Sequence, residues 1–198
     1  IANLPIGRGD HSSIWDPTND RVWYLGGASE TSHPDADLNP LWYDTGADVF
    51  GSGPSLTTAA TFTTAPKSIM AAIDNAAKKL YAFCNMGTSN PVRVFTLGLA
   101  PIASSWVEIA IGGGGDAPTL LSSLRYPCWF DDTGAVIYML VGNNNLFRFS
   151  PGGSWLSKVN VSQTSQGPSV PLNNAWVWDQ ASRICWFAGP SDGTSGAQ

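Results

Sequence analysis

Charge is what this sequence has least of. Only 13% of its 198 residues are charged, and ten Lys and Arg face fifteen Asp and Glu for a net charge of −5. That acidic surplus argues against a nucleic-acid backbone or an anionic membrane surface as the main partner, since both are held by clustered cations. No apolar run is long enough to span a bilayer, which excludes membrane insertion by a helix. No secretory signal pattern opens the chain, and the missing initiator Met leaves a processed or excised N-terminus open. A convincing helical period is absent from every window; Asn75 to Leu80 is too short and falls in a stretch that reads as a hairpin elsewhere. Two histidines and three cysteines also leave few ligands for a metal centre. Cys84, Cys128 and Cys185 all fall in apolar strands, so they read as buried free thiols and not as a disulfide framework.

What the chain does have is apolar, aromatic and turn-forming residues. Its hydrophobic fraction is 43%, with nine Trp, 21 Gly and 14 Pro, which fits short strands joined by many turns and excludes disorder. One stretch, IWDPTNDRVWYLGG from Ile14, recurs as AIDNAAKKLYAFCN from Ala72, WFDDTGAVIYMLVG from Trp129 and VWDQASRICWFAG from Val177. Asp16, Asp74, Asp131 and Asp179 then fall in register. Each copy reads as strand, polar turn, strand, with turn residues whose side chains bond the nearby backbone. The fourth copy reads as one residue shorter, with Ile184 to Phe187 in the place of Val22 to Leu25. Each of the first three copies is followed by an alternating aromatic strand, a turn containing Gly and a large aromatic residue, namely Phe50, Trp106 or Trp155.

The repeating unit is therefore a four-stranded meander, and the predicted class is all-β: a β-propeller of antiparallel four-stranded blades. At this point the chain resembles the kelch repeat. Asp16, Gly26, Gly27, Tyr43, Asp44, Thr45, Trp106 and Trp155 sit where that family places such residues, and the lead-in LPIGRGDHSS places Arg8 and His11 as its inter-blade loop does. The sequence departs from the pattern in replacing Gly-Gly by Cys84-Asn85, Val141-Gly142 and Ala188-Gly189, and the first Trp by Phe50. The resemblance implies an architecture and says little about activity.

As one propeller segment over residues 1–198, the chain divides into blade 1 at about 11–62, blade 2 at about 68–111, blade 3 at about 126–161 and half of blade 4 at about 175–198, after a lead-in over Ile1 to Asp10. The outer strand of blade 1 is expected irregularly within Gly51 to Pro66, and that of blade 2 over Trp106 to Ile111. About 3.5 blades fall short of the usual four to eight, so an incomplete ring is expected, a fragment of a longer propeller whose open strand edges meet further blades or neighbouring chains. Length and polarity gather in the loops Ala28 to Asn39, Gly51 to Pro66, Gly112 to Leu124 and Ser162 to Asn173, all at one end of the blades; that end is the predicted binding face.

Candidate binding residues on that face are Arg8, His11, His33, Asp35, Asp37, Asp116 and Arg125. His33, Asp35 and Asp37 form the best small cluster for a hard cation, but the calcium-loop Gly and distal Glu are lacking, so a solvated loop is the better reading. Arg8-Gly9-Asp10 spells an adhesion tripeptide and is better read as a turn. The four aspartates recur symmetrically, which suits turns and not a single active site. Gly112 to Gly115 lacks the Lys and Ser/Thr of a phosphate loop, and no nucleophile elbow, zinc pattern or cofactor motif appears. Neither the sialidase-type Asp box nor a copper-oxidase set of Tyr, Cys and His can be assembled. The expected function is thus a noncatalytic module without cofactor that binds a protein or glycan partner at its long-loop face. Two alternatives stand beside it: a structural part of a larger assembly such as a virus particle or tail, and a carbohydrate-active or oxidase-type propeller whose site lies in further blades.

Overall fold

The structure is a computed structural model that describes residues 8–29, 37–87, 91–112, 115–120, 126–141, 145–160 and 175–188. Its strands are β1 (Arg8–Asp16), β2 (Arg21–Ser29), β3 (Leu41–Asp44), β4 (Val49–Ser52), β5 (Ser68–Asp74), β6 (Lys79–Asn85), β7 (Arg93–Gly98), β8 (Val107–Ile109), β9 (Cys128–Asp131), β10 (Val136–Val141), β11 (Asn145–Ser150), β12 (Ser154–Asn160), β13 (Ala175–Asp179) and β14 (Ile184–Ala188). They form three four-stranded antiparallel meanders, β1 to β4, β5 to β8 and β9 to β12, and the hairpin β13–β14. The first strands lie side by side, β5 against both β1 and β9, so these are propeller-type blades and the fold is all-β as the repeat predicts.

The recurrent aspartate closes each first hairpin in one way. Asp16 pairs with Arg21, Asp74 with Lys79, Asp131 with Val136 and Asp179 with Ile184, leaving four residues in every loop. Backbone N–H groups of Thr18, Ala77, Thr133 and Ala181 donate to the carboxylates of Asp16, Asp74, Asp131 and Asp179 respectively. The last loop residue is left-handed each time: Asp20, Lys78, Ala135 and Arg183 have φ of 53°, 55°, 48° and 56°. Asp44 repeats the device between β3 and β4, accepting from Ala47 with Asp48 at φ 55°.

This geometry corrects the reading of the fourth copy. Its loop is as long as the others, so the copy is not one residue shorter in the hairpin. Cys185 pairs with Trp178 as Val22 pairs with Trp15, and Trp186 takes the register position of Trp23, Tyr81 and Tyr138. Gly189 aligns with Gly26, so the apparent shortening came from matching glycine to the second of a pair.

Three boundaries also differ. β1 begins at Arg8, inside the expected lead-in, because the first hairpin pairs as far as Arg8 with Ser29. The outer strand of blade 1 is β4, not a strand deep in Gly51 to Pro66; beyond it Leu56–Thr58 form a 3-10 turn capped by the Ser55 hydroxyl. β8 is shorter than expected, since Trp106 has left the ladder: its Nε1 donates to the Pro54 carbonyl at 2.8 Å and its N–H to Thr58 Oγ1 at 3.2 Å. That indole therefore fastens blade 2 to the crossover from blade 1.

Two cores fill the spaces between blades, and strand alternation decides which residue enters which. Trp23, Leu25, Ile69, Ile73, Leu80, Phe95 and Leu97 form the core between blades 1 and 2. Met70, Tyr81, Phe83, Val94, Phe130, Ile137, Phe149 and Trp155 form that between blades 2 and 3, where Phe83 meets Phe149 edge-on at 5.4 Å. Blade 2 gives alternate residues to each. Cys84 and Cys128 are buried free thiols, and Cys185 is half-buried and free. Burial pushes the Cys185 thiol up to about 12, and the other two higher still. In blade 1 both glycines of the pair are left-handed, Gly26 and Gly27 having φ of 70° and 81°, whereas Asn85, at the second position in blade 2, carries no positive φ.

Candidate functional site: an aromatic trough along the first strands

The first strands do not only pack against each other. Their exposed edge walls a trough of about 510 Å3 with contributions from all four blades. The repeat assigns its lining by register. Residues just before the aspartate, Trp15, Ile73, Phe130 and Trp178, form an apolar and aromatic wall. Those just after it, Asn75, Asp132 and Gln180, form a polar end. His11 and Tyr126 lie at the opposite, long-loop end, so the trough runs between the two ends of the blades. Thr45 N–H donates to the Asp20 carbonyl and Leu99 N–H to that of Lys78, which places the first-to-second and third-to-fourth turns at one shared end.

The wall between blades 3 and 4 is the most ordered chemically. Trp129 and Trp178 stack at 5.4 Å and 24°, and Tyr138 also stacks on Trp129, at 5.7 Å and 21°. The Gln180 carbonyl oxygen accepts from Trp178 Nε1 at 2.8 Å and from the Asp132 N–H at 3.3 Å, while its amide donates to Asp131 at 3.4 Å. Arg183 Nη2 donates to the other Asp131 oxygen at 2.7 Å. Desolvation is the largest influence on the fully buried Asp131 and would raise its pKa, but the bonds from Gln180, Thr133 and Arg183 outweigh it and hold the carboxyl below the usual range. Neighbouring Asp132 shifts the other way. Desolvation first, then the negative charges of Asp74 and Asp131, raise its pKa. The trough thus offers exposed aromatic area and one carboxylate whose field favours a cation.

The seven residues singled out from sequence are placed as follows. His11 lines the trough and meets Tyr24 edge-on at 5.1 Å. Arg8 opens β1 opposite Ser29. Asp37 folds its own loop, accepting from the backbone and side-chain nitrogens of Asn39 at 2.8 and 2.9 Å. Asp116 accepts the Lys158 N–H at 3.0 Å and so tethers a crossover to β12. His33, Asp35 and Arg125 lie outside the described residues. Among the described residues no group of three or more His, Cys, Asp or Glu is placed to hold a metal ion. Sequence reasoning passed over Trp15, Asn75, Asp132, Trp178 and Gln180. The signal for them was the repeat itself, one step either side of the aspartates on which attention rested.

A scan against protein-family models and a search of curated proteins each find no match. Among solved structures the chain is similar to one described as the complex of KlAtg21 with the coiled-coil of AgAtg16. The sequence identity is 11% and the TM-score 0.45, over 94% of this chain and 47% of that one, so the chain spans about half that neighbour's length.

Proposed function

We propose that the chain is a noncatalytic, kelch-like propeller module that takes a protein segment into its axial trough, with the long loops as a rim. The observation that carries this is the trough's composition: Trp15 is 45% exposed on a wall completed by buried Ile73 and Phe130 and half-buried Trp178, and Asp132 stands at the polar end. A concave apolar surface with a few convergent polar groups is what a binding site requires. An exposed indole is a strong anchor, because it brings a large contact area at small entropic cost. A segment with one apolar and one basic side chain answers both features, and the net charge of −5 would speed its approach.

A displayed library of random peptides panned on the purified chain tests this. Enriched peptides should carry an aromatic or aliphatic residue near a Lys or Arg, lose binding on Trp15→Ala, and weaken on Asp132→Asn. Binders indifferent to both changes would remove the proposal. A glycan-array signal that depends on Trp15, with no peptide enriched, would move the same trough to a carbohydrate ligand. A second reading, as one part of a larger assembly, is favoured by a separate observation: among the described residues Trp15 on blade 1 and Val177, Ile184 and Trp186 on blade 4 are large apolar side chains left exposed.

A further inference from the structure

Trp106 and Trp155 hold the same place in successive meanders, where the outer strand begins, and the molecule treats them differently. At the junction of blades 1 and 2, Trp106 Nε1 donates to the Pro54 carbonyl at 2.8 Å, and Leu56 is fully buried in the same core. The crossover thus closes that junction with one carbonyl and one aliphatic side chain. Leu56 lies six residues after Phe50, the aromatic residue of the first outer strand; six residues after Trp106 stands Gly112, which has no side chain to offer. At the junction of blades 2 and 3 a cavity of about 480 Å3 opens between the outer strands. Buried Val92 and Trp155 and half-buried Ile109 form its apolar floor, and Arg93 and Glu108 stand beside them. Leu120 of the second crossover is buried in the core below and is not part of the wall. Trp155 is only 4% exposed, yet its Nε1 has no acceptor among the described residues and is not sealed from solvent.

We propose that this cavity is a second binding site, which takes a neutral segment of a partner protein by a backbone carbonyl and an aliphatic side chain two residues later. Trp155 Nε1 supplies the donor for the carbonyl, and Val92 and Ile109 receive the side chain. The molecule's own Pro54-Ser55-Leu56 is the template, since it presents both groups to Trp106 and the core around it. The polar groups fit the same ligand. Arg93 spends Nε and Nη2 on Glu108 at 2.7 and 2.8 Å and Nη1 on the Thr61 carbonyl at 3.1 Å, so the ion pair leaves no net charge to attract an ion. Each Glu108 oxygen accepts one of those bonds and keeps a lone pair, enough for a peptide N–H. A charged side chain would lose its water there without gaining a partner, whereas a peptide unit and an aliphatic group are both satisfied. A largely apolar cavity of this size with a few placed polar groups is the usual form of a ligand site. Both of its walls belong to adjacent blades inside the row, so it stands whatever covers the outermost ones.

Nitrogen-15 NMR of the 198-residue chain, titrated with a capped peptide of its own residues 53–58, Gly-Pro-Ser-Leu-Thr-Thr, tests this. The Trp155 indole N–H signal, identified by its loss in Trp155→Phe, should move downfield at about millimolar peptide. A peptide with serine in place of its leucine should bind roughly tenfold more weakly. Trp155→Phe, followed at the Ile109 amide, should also weaken binding roughly tenfold, because the ring stays and the donor goes. Ala117→Leu enlarges a side chain on the exposed side of the cavity and should abolish binding, with circular dichroism confirming that the variant folds. Should that variant not fold, the serine peptide and Trp155→Phe still decide. An indole signal of Trp155 that stays in place overturns the proposal, as does equal binding of the two peptides or binding indifferent to both variants. Movement of the Trp15 and Trp178 indole signals in its stead would put the peptide in the axial trough and overturn it too.

Discussion

Blade 2 and blade 4 are written in the same repeat yet live in different surroundings. Blade 2 is covered on both faces, and every residue of β5 is buried. Blade 4 is covered on the side of Trp178 and bare on that of Trp186. The sequences hardly differ in apolar content, so what separates the two is position in the row. A repeat encodes two sticky faces per unit regardless of whether a neighbour is there to cover them. The same holds inside blade 1, where Trp23 is sealed in a core while Trp15, eight residues earlier, meets solvent.

Substitutions at matched register positions would sharpen or break that comparison. Trp23→Ala should have the largest effect, about 3–5 kcal/mol by urea unfolding, because it empties a core and removes the indole N–H that donates to buried Asp16 at 3.2 Å. A cost under about 1 kcal/mol would mean that the junction of blades 1 and 2 does not support the fold. Gly26→Ala should cost about 1–2 kcal/mol, since the position is left-handed and a Cβ would come within 3.2 Å of Ile69 Cβ. Arg183→Gln should cost about 1 kcal/mol, as Arg183 is half exposed and Asp131 keeps its bonds from Gln180 and Thr133. Trp186→Ala should be the mildest, within about 0.5 kcal/mol, because that side chain is 59% exposed.

Acid should tell the faces apart as well. Asp131 has a lowered pKa in the folded chain, so its contribution is complete above the unfolded value of about 3.9 and is lost as the pH falls through the lower folded one. Tryptophan fluorescence followed downward from about pH 4 should report loosening of the Trp129–Trp178 stack. The change should begin at higher pH in Arg183→Gln, because one of the bonds holding that pKa down is gone. An unchanged profile would show that blades 3 and 4 are held together by packing alone.

The hairpins, the meanders and the all-β class were legible in the sequence because each rests on local chemistry: an aspartate, four turn residues and alternating strands. Phase was harder. Matching Gly189 to the second glycine of blade 1 displaced Cys185 and Trp186 by one, and in a strand a single step exchanges the faces. Trp106 read as a strand residue because nothing local announces that its indole reaches the Pro54 carbonyl of another blade. The trough was invisible for a related reason. It belongs to no segment, and only the side-by-side placing of β1, β5, β9 and β13 brings Trp15, Asn75, Asp132 and Gln180 around one space.

The aspartate loops also bear on how the molecule comes together. Each closes over four residues with its own backbone bonds, so every hairpin zips within about microseconds and carries little of the chain-ordering cost. The joining of blade to blade, across some fifty residues at a time, is the slow event. Assembly then proceeds by accretion of ready-made units, and a nascent chain meets its greatest hazard while a finished unit waits, greasy side outward, for the next to emerge.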